Sequence, residues 1–314
     1  MNLKKFFATI CAATLFFTTA SAQAETSPQN ITNADDLADA AGDSAEKFYL
    51  SLPKAKGDYK SRQRPILIEG AMNVETEILV RALKNPVTYR ELNYLFVAGT
   101  YKNYPVVIVR TEQGMANAAA STALAIKKFN PVAVINQGTS GGHDPALNIG
   151  DIVIGASSFD YTAIKAPYSP AGAGTDLTFQ QEMRGTYAFD AASGKFQPYK
   201  KYLADPTLLK VAEGVAAANK NFNVVKGTIG TGNAWLCNID YINFLHETYG
   251  SSCEEMETSC VAQICQTAGV PFIGIRILSD NITVTDEYNP DTAKTAQDFV
   301  LLVVEDYIRN VLKK

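Results

Sequence analysis

The sequence has few of the residues that build metal sites, and it has no excess of basic charge. Only two histidines occur, His143 and His246, and no two cysteines form a CxxC pair. Structural zinc sites draw on clusters of cysteine and histidine, so we expect no metal, and no other cofactor is indicated. Lysine and arginine total 28 against 32 acidic residues, for a net charge of −4. This balance argues against a nucleic-acid-binding surface.

Long apolar segments are also missing after the amino terminus. Residues 6–17 form an uncharged apolar run behind Lys4 and Lys5, and the small-x-small sequence Ala22-Gln23-Ala24 follows it. Such a run is shorter than the roughly 20 residues that span a bilayer, and this order of segments is typical of a secretory signal peptide. We therefore expect residues 1–24 to be removed. The mature protein is then expected to be soluble, without a membrane partner, and periplasmic or secreted.

The remaining chain is predicted to divide into an extension and one domain. Residues 25–61 contain one predicted helix, at residues 34–52, with Asn33 or Asp35 as a possible cap. We expect this extension to pack on the domain surface or to link subunits. Residues 62–314 are sufficient for one large α/β domain.

Cysteine is scarce, and four of the five cysteines lie close together in the sequence. Cys11 belongs to the expected leader, which leaves Cys237, Cys253, Cys260 and Cys265. An oxidising compartment permits disulfides. Cys260 and Cys265 are predicted to lie on different faces of one helix, where they cannot pair. Pairing of Cys237 with Cys253 and four buried thiols remain as alternatives.

Strand and helix patterns alternate from residue 62 onward. Apolar runs predict strands at residues 65–69, 94–97, 106–109, 132–135, 151–156, 224–229 and 271–278. Helical spacing predicts helices at residues 75–83, 115–129, 206–218, 239–246, 257–268 and 290–312. This alternation favours a mostly parallel sheet with helices on both faces, a three-layer α/β sandwich.

Two connections in this pattern have distinct predicted roles. Gly99 and the sequence Asn103-Tyr104-Pro105 are predicted to mark the turn between the second and third strands. Residues 157–204 form a long irregular stretch with tyrosine, proline and glycine throughout. A connection of this length is predicted to be a lid or the wall of a pocket.

Polar residues gather where the predicted strands end. Ligands of open α/β sheets bind beyond the carboxyl ends of the strands. The segments at those ends are residues 70–75, 136–142, 231–236 and 279–280, and residues 254–257 are predicted to open a helix. Glu75, Glu257, Asp280 and the only tryptophan, Trp235, therefore converge on one rim. An aromatic wall with several carboxylates suits a planar base joined to a sugar.

Each of these residues also has a simpler explanation. Glu75 and Glu257 could interact with a helix dipole, Asp280 could cap a turn, and Trp235 could belong to the core. The glycines of residues 138–142 match neither a GxGxxG motif nor a P-loop. Simple capping explains the single residues better than it explains the whole set.

Five motifs together resemble the 5′-methylthioadenosine/S-adenosylhomocysteine nucleosidases of the purine nucleoside phosphorylase superfamily. The resemblance covers about residues 65–312, except residues 157–204, and the motifs occur in the family's order. They are Gly70-Ala71-Met72 with Glu75, Asn136-Gln137-Gly138-Thr139-Ser140-Gly141-Gly142, Gly150-Asp151-Ile152-Val153, Glu255-Met256-Glu257 and Leu278-Ser279-Asp280.

The resemblance implies a fold and a catalytic pair. It implies a partly barrel-like mixed sheet, a homodimer, and hydrolysis of the N-glycosidic bond of an adenine-type nucleoside. Asp280 resembles the acid that protonates N7 of the purine, and its pKa is expected to be raised by burial and neighbouring carboxylates. Glu75 resembles the group that activates water.

The resemblance also implies a set of substrate contacts. Glu257, beside Met256 and Glu255, resembles the carboxylate that binds the ribose hydroxyls. Trp235 takes the position of the aromatic that stacks on the base. The other implied contacts are Leu236, Thr139, Ser140, Gly141 and Ser279. Anionic Glu75 and Glu257 are expected to stabilise an oxocarbenium-like sugar.

Two other functions remain open at the level of sequence. A phosphate-dependent purine nucleoside phosphorylase needs cationic ligands, yet Asn136 stands where the hexameric phosphorylases have arginine. Arg110 and Arg276 remain possible phosphate ligands. A nucleoside-binding or storage protein is the third possibility, although storage would require none of Glu75, Glu257 and Asp280.

Overall fold

The computed structural model describes residues 46–174 and 182–313. Over these ranges the strands are β1 (Ile66–Gly70), β2 (Lys84–Glu91), β3 (Tyr94–Tyr101), β4 (Tyr104–Arg110), β5 (Ala133–Gly142), β6 (Ile152–Asp160), β7 (Ile164–Lys165), β8 (Glu182–Met183), β9 (Thr186–Asp190), β10 (Lys195–Tyr199), β11 (Tyr202–Leu203), β12 (Val224–Thr231), β13 (Ser251–Glu255) and β14 (Phe272–Asp280). The helices are α1 (Asn73–Ala82), α2 (Met115–Phe129), α3 (Pro206–Ala218), α4 (Ile239–Tyr249), α5 (Thr258–Ala268) and α6 (Thr292–Tyr307), and a π-helix (Ile308–Leu312) follows α6. The predicted helices at residues 115–129 and 206–218 are confirmed to the residue.

One mixed sheet contains most of these strands, and its middle closes into a barrel. β5 pairs with β14, β14 with β6, β6 with β12, β12 with β13, and β13 with β5. These five pairings return to the first strand. β1, β4, β3 and β2 extend from β5 as an open wing. The expected partly barrel-like mixed sheet is therefore confirmed.

Helices cover both faces of the sheet, so the expected three layers are present. α6 lies with α1 and α3 on one face, and α2 lies with α5 on the other. Each face has its own apolar core, with Phe299 and Val303 of α6 in one and Phe129 of α2 and Val261 of α5 in the other. Within the described ranges, no helix is both long enough and apolar enough to cross a membrane.

The barrel closes at two facing glycines. Gly155 of β6 lies opposite Gly274 of β14 in the antiparallel register. A Cβ atom on Gly155 would lie 2.6 Å from Cδ1 of Ile229 and 3.1 Å from the carbonyl oxygen of Gly274. A side chain at this position would collide with the barrel interior, which explains why glycine allows the two strands to approach.

The start of the described chain packs against α1. Residues 46–51 are helical, and the buried Tyr49 has its hydroxyl 2.6 Å from Oγ1 of Thr76. The guanidinium of Arg81 lies 3.9 Å from the ring centre of Phe48. The described part of the extension therefore packs on the domain surface. The predicted signal peptide and the predicted caps Asn33 and Asp35 lie outside the described residues.

Three local predictions are wrong. β2 was not predicted, and Gly99 lies inside β3 rather than in a turn. The turn falls at Lys102 and Asn103, whose φ values of 48° and 61° match a type I′ hairpin. Glu254 belongs to β13 and does not open a helix, because α5 begins only at Thr258.

Residues 157–204 are also more regular than predicted where they are described. β6 continues to Asp160, and β9 and β10 form a hairpin. The hairpin packs on α5, where Nε2 of Gln263 donates to the carbonyl of Tyr187 at 2.8 Å and the amide of Phe189 donates to Oγ1 of Thr267 at 3.3 Å. This part of the chain thus covers a helix.

All four cysteines of the described chain are free thiols, so the tentative pairing of Cys237 with Cys253 is wrong. Cys253, Cys260 and Cys265 are buried, whereas Cys237 is exposed. The alternative of four buried thiols is therefore correct for three of them. Cys260 and Cys265 share α5, as predicted.

The surroundings of two glycines predict that the same change, glycine to alanine, has opposite effects on the free energy of unfolding. We expect Gly155→Ala to lower the free energy of unfolding by about 1–3 kcal/mol, because the added methyl overpacks the barrel. Gly214, exposed on α3 with no atom near its Cβ position, is the matched control. Gly214→Ala should stabilise by about 0.5–1 kcal/mol through helix propensity. Urea unfolding of both variants would measure this, and equal stabilities would contradict the closure argument.

Candidate active site

A cavity opens at the carboxyl ends of β1, β5, β13 and β14. Residues that follow β12 complete its rim, among them Trp235. The predicted site residues that line it are Glu75, Thr139, Ser140, Gly141, Trp235, Glu255, Met256, Glu257, Ser279 and Asp280. A larger hollow of about 640 Å³ lies between α3 and the start of β12, but none of the predicted site residues lines it. The chemistry predicted from the sequence therefore converges on the first cavity.

Leu236 and the described part of residues 157–204 do not line this cavity. Leu236 turns its side chain into a cluster with Phe159 and Tyr161. Its amide points toward Glu254 instead, at 3.4 Å from Oε1. The predicted lid or wall role of residues 157–204 is wrong for their described part, none of which lines the cavity. The hydroxyl of Tyr161 instead donates a hydrogen bond to Glu254, which does line it.

Glu75 is held in place by four hydrogen bonds at the start of α1. The amide and the hydroxyl of Thr139 donate to Oε1 at 2.7 and 3.0 Å, and the amides of Ala71 and Met72 donate to Oε2 at 2.8 and 3.1 Å. A Cβ on Gly138 would lie 2.6 Å from Oε1, so glycine at this position allows the carboxylate to reach β5. The carboxylate is thus positioned by both of its oxygens.

Asp280 ends β14 on the opposite side of the cavity. It is largely buried, and the hydroxyl of Ser279 donates to Oδ1 at 2.9 Å. Burial raises the pKa of Asp280 to about 6, while the Ser279 hydrogen bond lowers it. The expected rise is confirmed, and burial is its main cause.

Glu255 is tied to the protein rather than free for a ligand. It forms a buried ion pair with Arg276, and it accepts hydrogen bonds from the hydroxyl of Thr231 at 2.5 Å and from the amides of Glu257 and Thr258 at 2.9 and 2.8 Å. The positive guanidinium of Arg276 lowers the pKa of Glu255. Its carboxylate therefore fixes the start of α5.

Glu257 lies between the start of α2 and this ion pair. Its Oε1 accepts from the amide of Gly114 at 2.8 Å, and its Oε2 is 3.7 Å from Nη2 of Arg276. Burial and the charge of Glu255 raise the pKa of Glu257. This direction runs against the expectation of a fully ionised Glu257 at neutral pH.

An aromatic pair flanks the mouth of the cavity. Trp235 is 49% exposed, and its ring centre lies 5.5 Å from that of Tyr288 with an interplanar angle of 51°. Both rings line the cavity. An exposed tryptophan beside a cavity is available to stack on a planar ligand.

The two arginines considered as phosphate ligands are both engaged elsewhere. Nη1 of Arg110 bonds Glu46 at 2.6 Å and Asn73 at 2.7 Å, and Nε bonds Glu112 at 2.8 Å. Nε and Nη2 of Arg276 bond Glu255, and Nη2 also bonds Asn136, whereas the buried Nη1 has no hydrogen-bond partner among the described residues. Among the described residues, no lysine or arginine lines the cavity. The site therefore lacks the cationic donors that a phosphate dianion requires.

Several lining residues were missed as site residues in the sequence. They are Ala71, Met72, Gln113, Ala234, Glu254 and Tyr288. Ala71, Met72 and Ala234 stood within segments already singled out by their position after strands, and Glu254 stood in the segment predicted to open a helix. Gln113 and Tyr288 follow β4 and β14, but no local pattern distinguishes them from other loop residues.

Comparisons with known proteins agree with this geometry. A family model described as the phosphorylase superfamily matches residues 65–309. The 5′-methylthioadenosine/S-adenosylhomocysteine nucleosidase of Bacillus pumilus is 32% identical over 248 residues, which cover 76% of this chain and 98% of that protein. The nucleosidase of Colwellia psychrerythraea in complex with adenine matches with a TM-score of 0.63 at 25% identity, over 80% of this chain and 97% of that one. Futalosine hydrolase of Helicobacter pylori shares the fold, with a TM-score of 0.64 at 21% identity over 78% and 100%.

The Ser279 contact predicts a measurable shift in the titration of Asp280. Its hydroxyl stabilises the ionised carboxylate, so Ser279→Ala should raise the pKa of Asp280 above about 6. Carbon-13 NMR of the aspartate carboxyl groups would measure it. Ser193→Ala, in an exposed turn of the β9–β10 hairpin, should leave it unchanged. A fall in the pKa of Asp280 after Ser279→Ala would contradict the assignment.

Proposed function

The chain belongs to the phosphorylase superfamily, alongside the 5′-methylthioadenosine/S-adenosylhomocysteine nucleosidases, and from that premise we propose that it hydrolyses the N-glycosidic bond of an adenine-type purine nucleoside. One observation supports this most directly. A buried acid, Asp280, and a fully hydrogen-bonded carboxylate, Glu75, line one cavity that has no cationic side chain among its described lining residues. A site with an acid and a base needs only water as the second reactant beside the nucleoside.

Asp280 acts as the general acid. When the bond between C1′ and N9 breaks, its electron pair goes to the base, and a purine anion is a poor leaving group. A proton passed from Asp280 to N7 lets the base leave as a neutral molecule. Proton transfer of this kind contributes roughly 10²–10⁴-fold to a rate.

Glu75 acts on the water. Its four donors fix the carboxylate, and a water molecule beside it is oriented toward C1′. As the oxygen of water bonds to C1′, its proton passes to Glu75. The negative charge of the buried Glu75 also stabilises the oxocarbenium-like sugar.

Glu257 and Met256 bind the sugar, and Trp235 stacks on the base. Both sugar contacts line the cavity next to the start of α5. The pKa of Glu257 is raised, and hydrogen bonds donated by two ribose hydroxyls would favour its ionised form. Binding of the sugar and ionisation of Glu257 are therefore coupled.

Water is favoured over phosphate as the second reactant. Arg110 and Arg276 are both paired with carboxylates, and Glu75 places negative charge next to the attacking position. A phosphate dianion would meet repulsion with no compensating donor from a cationic side chain. The phosphorylase alternative therefore has no specific contact to support it.

We also propose export and self-association. The basic start, apolar run and Ala22-Gln23-Ala24 support cleavage before Glu25, which amino-terminal sequencing of the exported protein would test. The family resemblance implies a homodimer, and Tyr187, Phe196 and Leu203 are large apolar side chains that one subunit leaves exposed. Sedimentation equilibrium would test that assembly, and a monomer at micromolar concentration would contradict it.

Base release is predicted to be independent of phosphate and to require both carboxyl groups. We expect the mature protein to release adenine from 5′-methylthioadenosine at the same rate with and without phosphate. Glu75→Gln and Asp280→Asn should each lower kcat by roughly 10²–10⁴-fold.

Glu77→Gln is the matched control for Glu75→Gln, since Glu77 lies on the same helix but pairs with Arg81 at the surface. It should keep full activity. Release only in the presence of phosphate would move the protein to the phosphorylases. Binding of nucleosides without any release would support the storage alternative.

The pH dependence should follow the ionisation of Asp280. An acid catalyst works only while protonated, so kcat/KM should fall as pH rises through about 6. Asparagine has no acidic proton to give. In Asp280→Asn, kcat/KM should therefore be much lower and should no longer fall as pH rises through about 6. An identical pH profile in the variant would rule out Asp280 as the acid.

A further inference from the structure

Glu254 is a carboxyl group of the cavity to which the proposed reaction assigns no role. It follows Cys253 in β13, is 5% exposed, and lines the cavity beside Asp280. Its neighbour Glu255 is neutralised by Arg276, whereas Glu254 has no cationic partner among the described contacts. A buried carboxyl without a counter-charge is costly unless hydrogen bonds compensate it.

Glu254 and Asp280 converge on the same space above Gly141. Gly141 of β5 is in register with Glu254 of β13 on one side and with Asp280 of β14 on the other. A Cβ on Gly141 would lie 3.2 Å from Oδ2 of Asp280 and 3.3 Å from Oε1 of Glu254. Because glycine has no side chain, both carboxyl groups face one gap at the base end of the cavity.

Both protein contacts of Glu254 are donors, which favour its ionised form, and in that form both of its oxygens are acceptors. The hydroxyl of Tyr161 donates to Oε2 at 3.1 Å, and the amide of Leu236 donates to Oε1 at 3.4 Å. The second bond is long and therefore weak. Oε1 consequently remains able to accept a shorter bond from a ligand that lies in the cavity.

Burial makes such a ligand contact favourable. It raises the pKa of Glu254 to about 8, and the nearby charges of Asp280 and Glu255 act in the same direction. A further hydrogen-bond donor would stabilise the ionised form of Glu254 and offset part of the free energy that its burial costs. The position therefore suits a ligand that presents an N–H group to Oε1.

The chemistry of purines identifies that group, and this step rests on the proposed function. On a purine, N7 and the substituent of C6 lie on the same edge of the ring. With Asp280 at N7, a second carboxyl beside it faces the C6 substituent. We propose that Glu254 accepts a hydrogen bond from the 6-amino group and thereby selects 6-aminopurine nucleosides over 6-oxopurine nucleosides. A 6-oxo group offers no donor to the ionised carboxylate of Glu254.

The substitution Glu254→Gln tests this with little change in size. Tyr161 still needs an acceptor, so the amide oxygen should take the Oε2 position and the NH2 group the Oε1 position. The variant then presents a donor where the parent presents an acceptor. We expect the ratio of kcat/KM for 5′-methylthioadenosine to that for its 6-oxo analogue to fall roughly 10- to 100-fold, the loss expected for a hydrogen bond to a charged group.

Two further variants separate recognition from folding. Glu213→Gln changes an exposed carboxylate that does not line this cavity, and it should keep the parental ratio. Tyr161→Phe keeps Glu254 but removes the donor that orients it, so a smaller fall in the ratio is expected. If Glu254→Gln fails to fold, the Tyr161→Phe ratio decides. An equal loss for both nucleosides in either variant would overturn the proposal.

Failure of the proposed function can be distinguished from failure of this inference. Equilibrium dialysis of free adenine and free hypoxanthine measures recognition of the base without turnover. Tighter binding of adenine by the parent, lost in Glu254→Gln, would support the role of Glu254 even if no nucleoside were hydrolysed. Equal binding of the two bases by the parent would overturn it even if hydrolysis were established.

Discussion

The buried ion pair between Arg276 and Glu255 is the interaction on which the site depends. Both side chains are nearly inaccessible, at 2% and 3% exposure, and they join β14 to β13 inside the barrel. Glu255 also accepts the amides that start α5, so one carboxylate links two strands and a helix. Removing one partner of a buried pair typically costs about 3–5 kcal/mol, because the other charge is left uncompensated. Glu257, Glu254 and Asp280 all lie on segments that this pair holds together.

The same pair determines the chemistry of the cavity. Arg276 is paired with Glu255 and Asn136 and does not line the cavity, and Arg110 is paired in the same way with Glu46 and Glu112. A superfamily fold that elsewhere accommodates phosphate chemistry is thereby left with carboxyl groups alone. Such a site suits a cationic transition state and a neutral nucleophile.

The sequence predicted those elements whose signals are local. α3 and α2 match their predicted bounds, and their ends are local in the structure: Asp205 caps α3 and Pro206 begins it, and Asn130 ends α2 in the left-handed conformation. β2 was missed because it is an edge strand with exposed charges and a proline. Adjacent acidic residues at 254 and 255 resembled the start of a helix, since the arginine that allows Glu255 to lie in a buried strand is 21 positions away in the sequence. The site residues themselves were predictable, because carboxyl ends of strands converge, but their hydrogen-bond partners were not.

Those partners decide what each carboxyl group in the cavity can do. Glu75 has four donors, which fix its orientation. Asp280 has a single serine hydroxyl, and burial therefore prevails and raises its pKa into the range of an acid catalyst. Glu254 has one donor on each oxygen, of which the bond to Oε1 is long, and it lines the cavity. The proposed roles of these three chemically similar groups as base, acid and acceptor thus follow from the number and direction of their donors, rather than from their own chemistry.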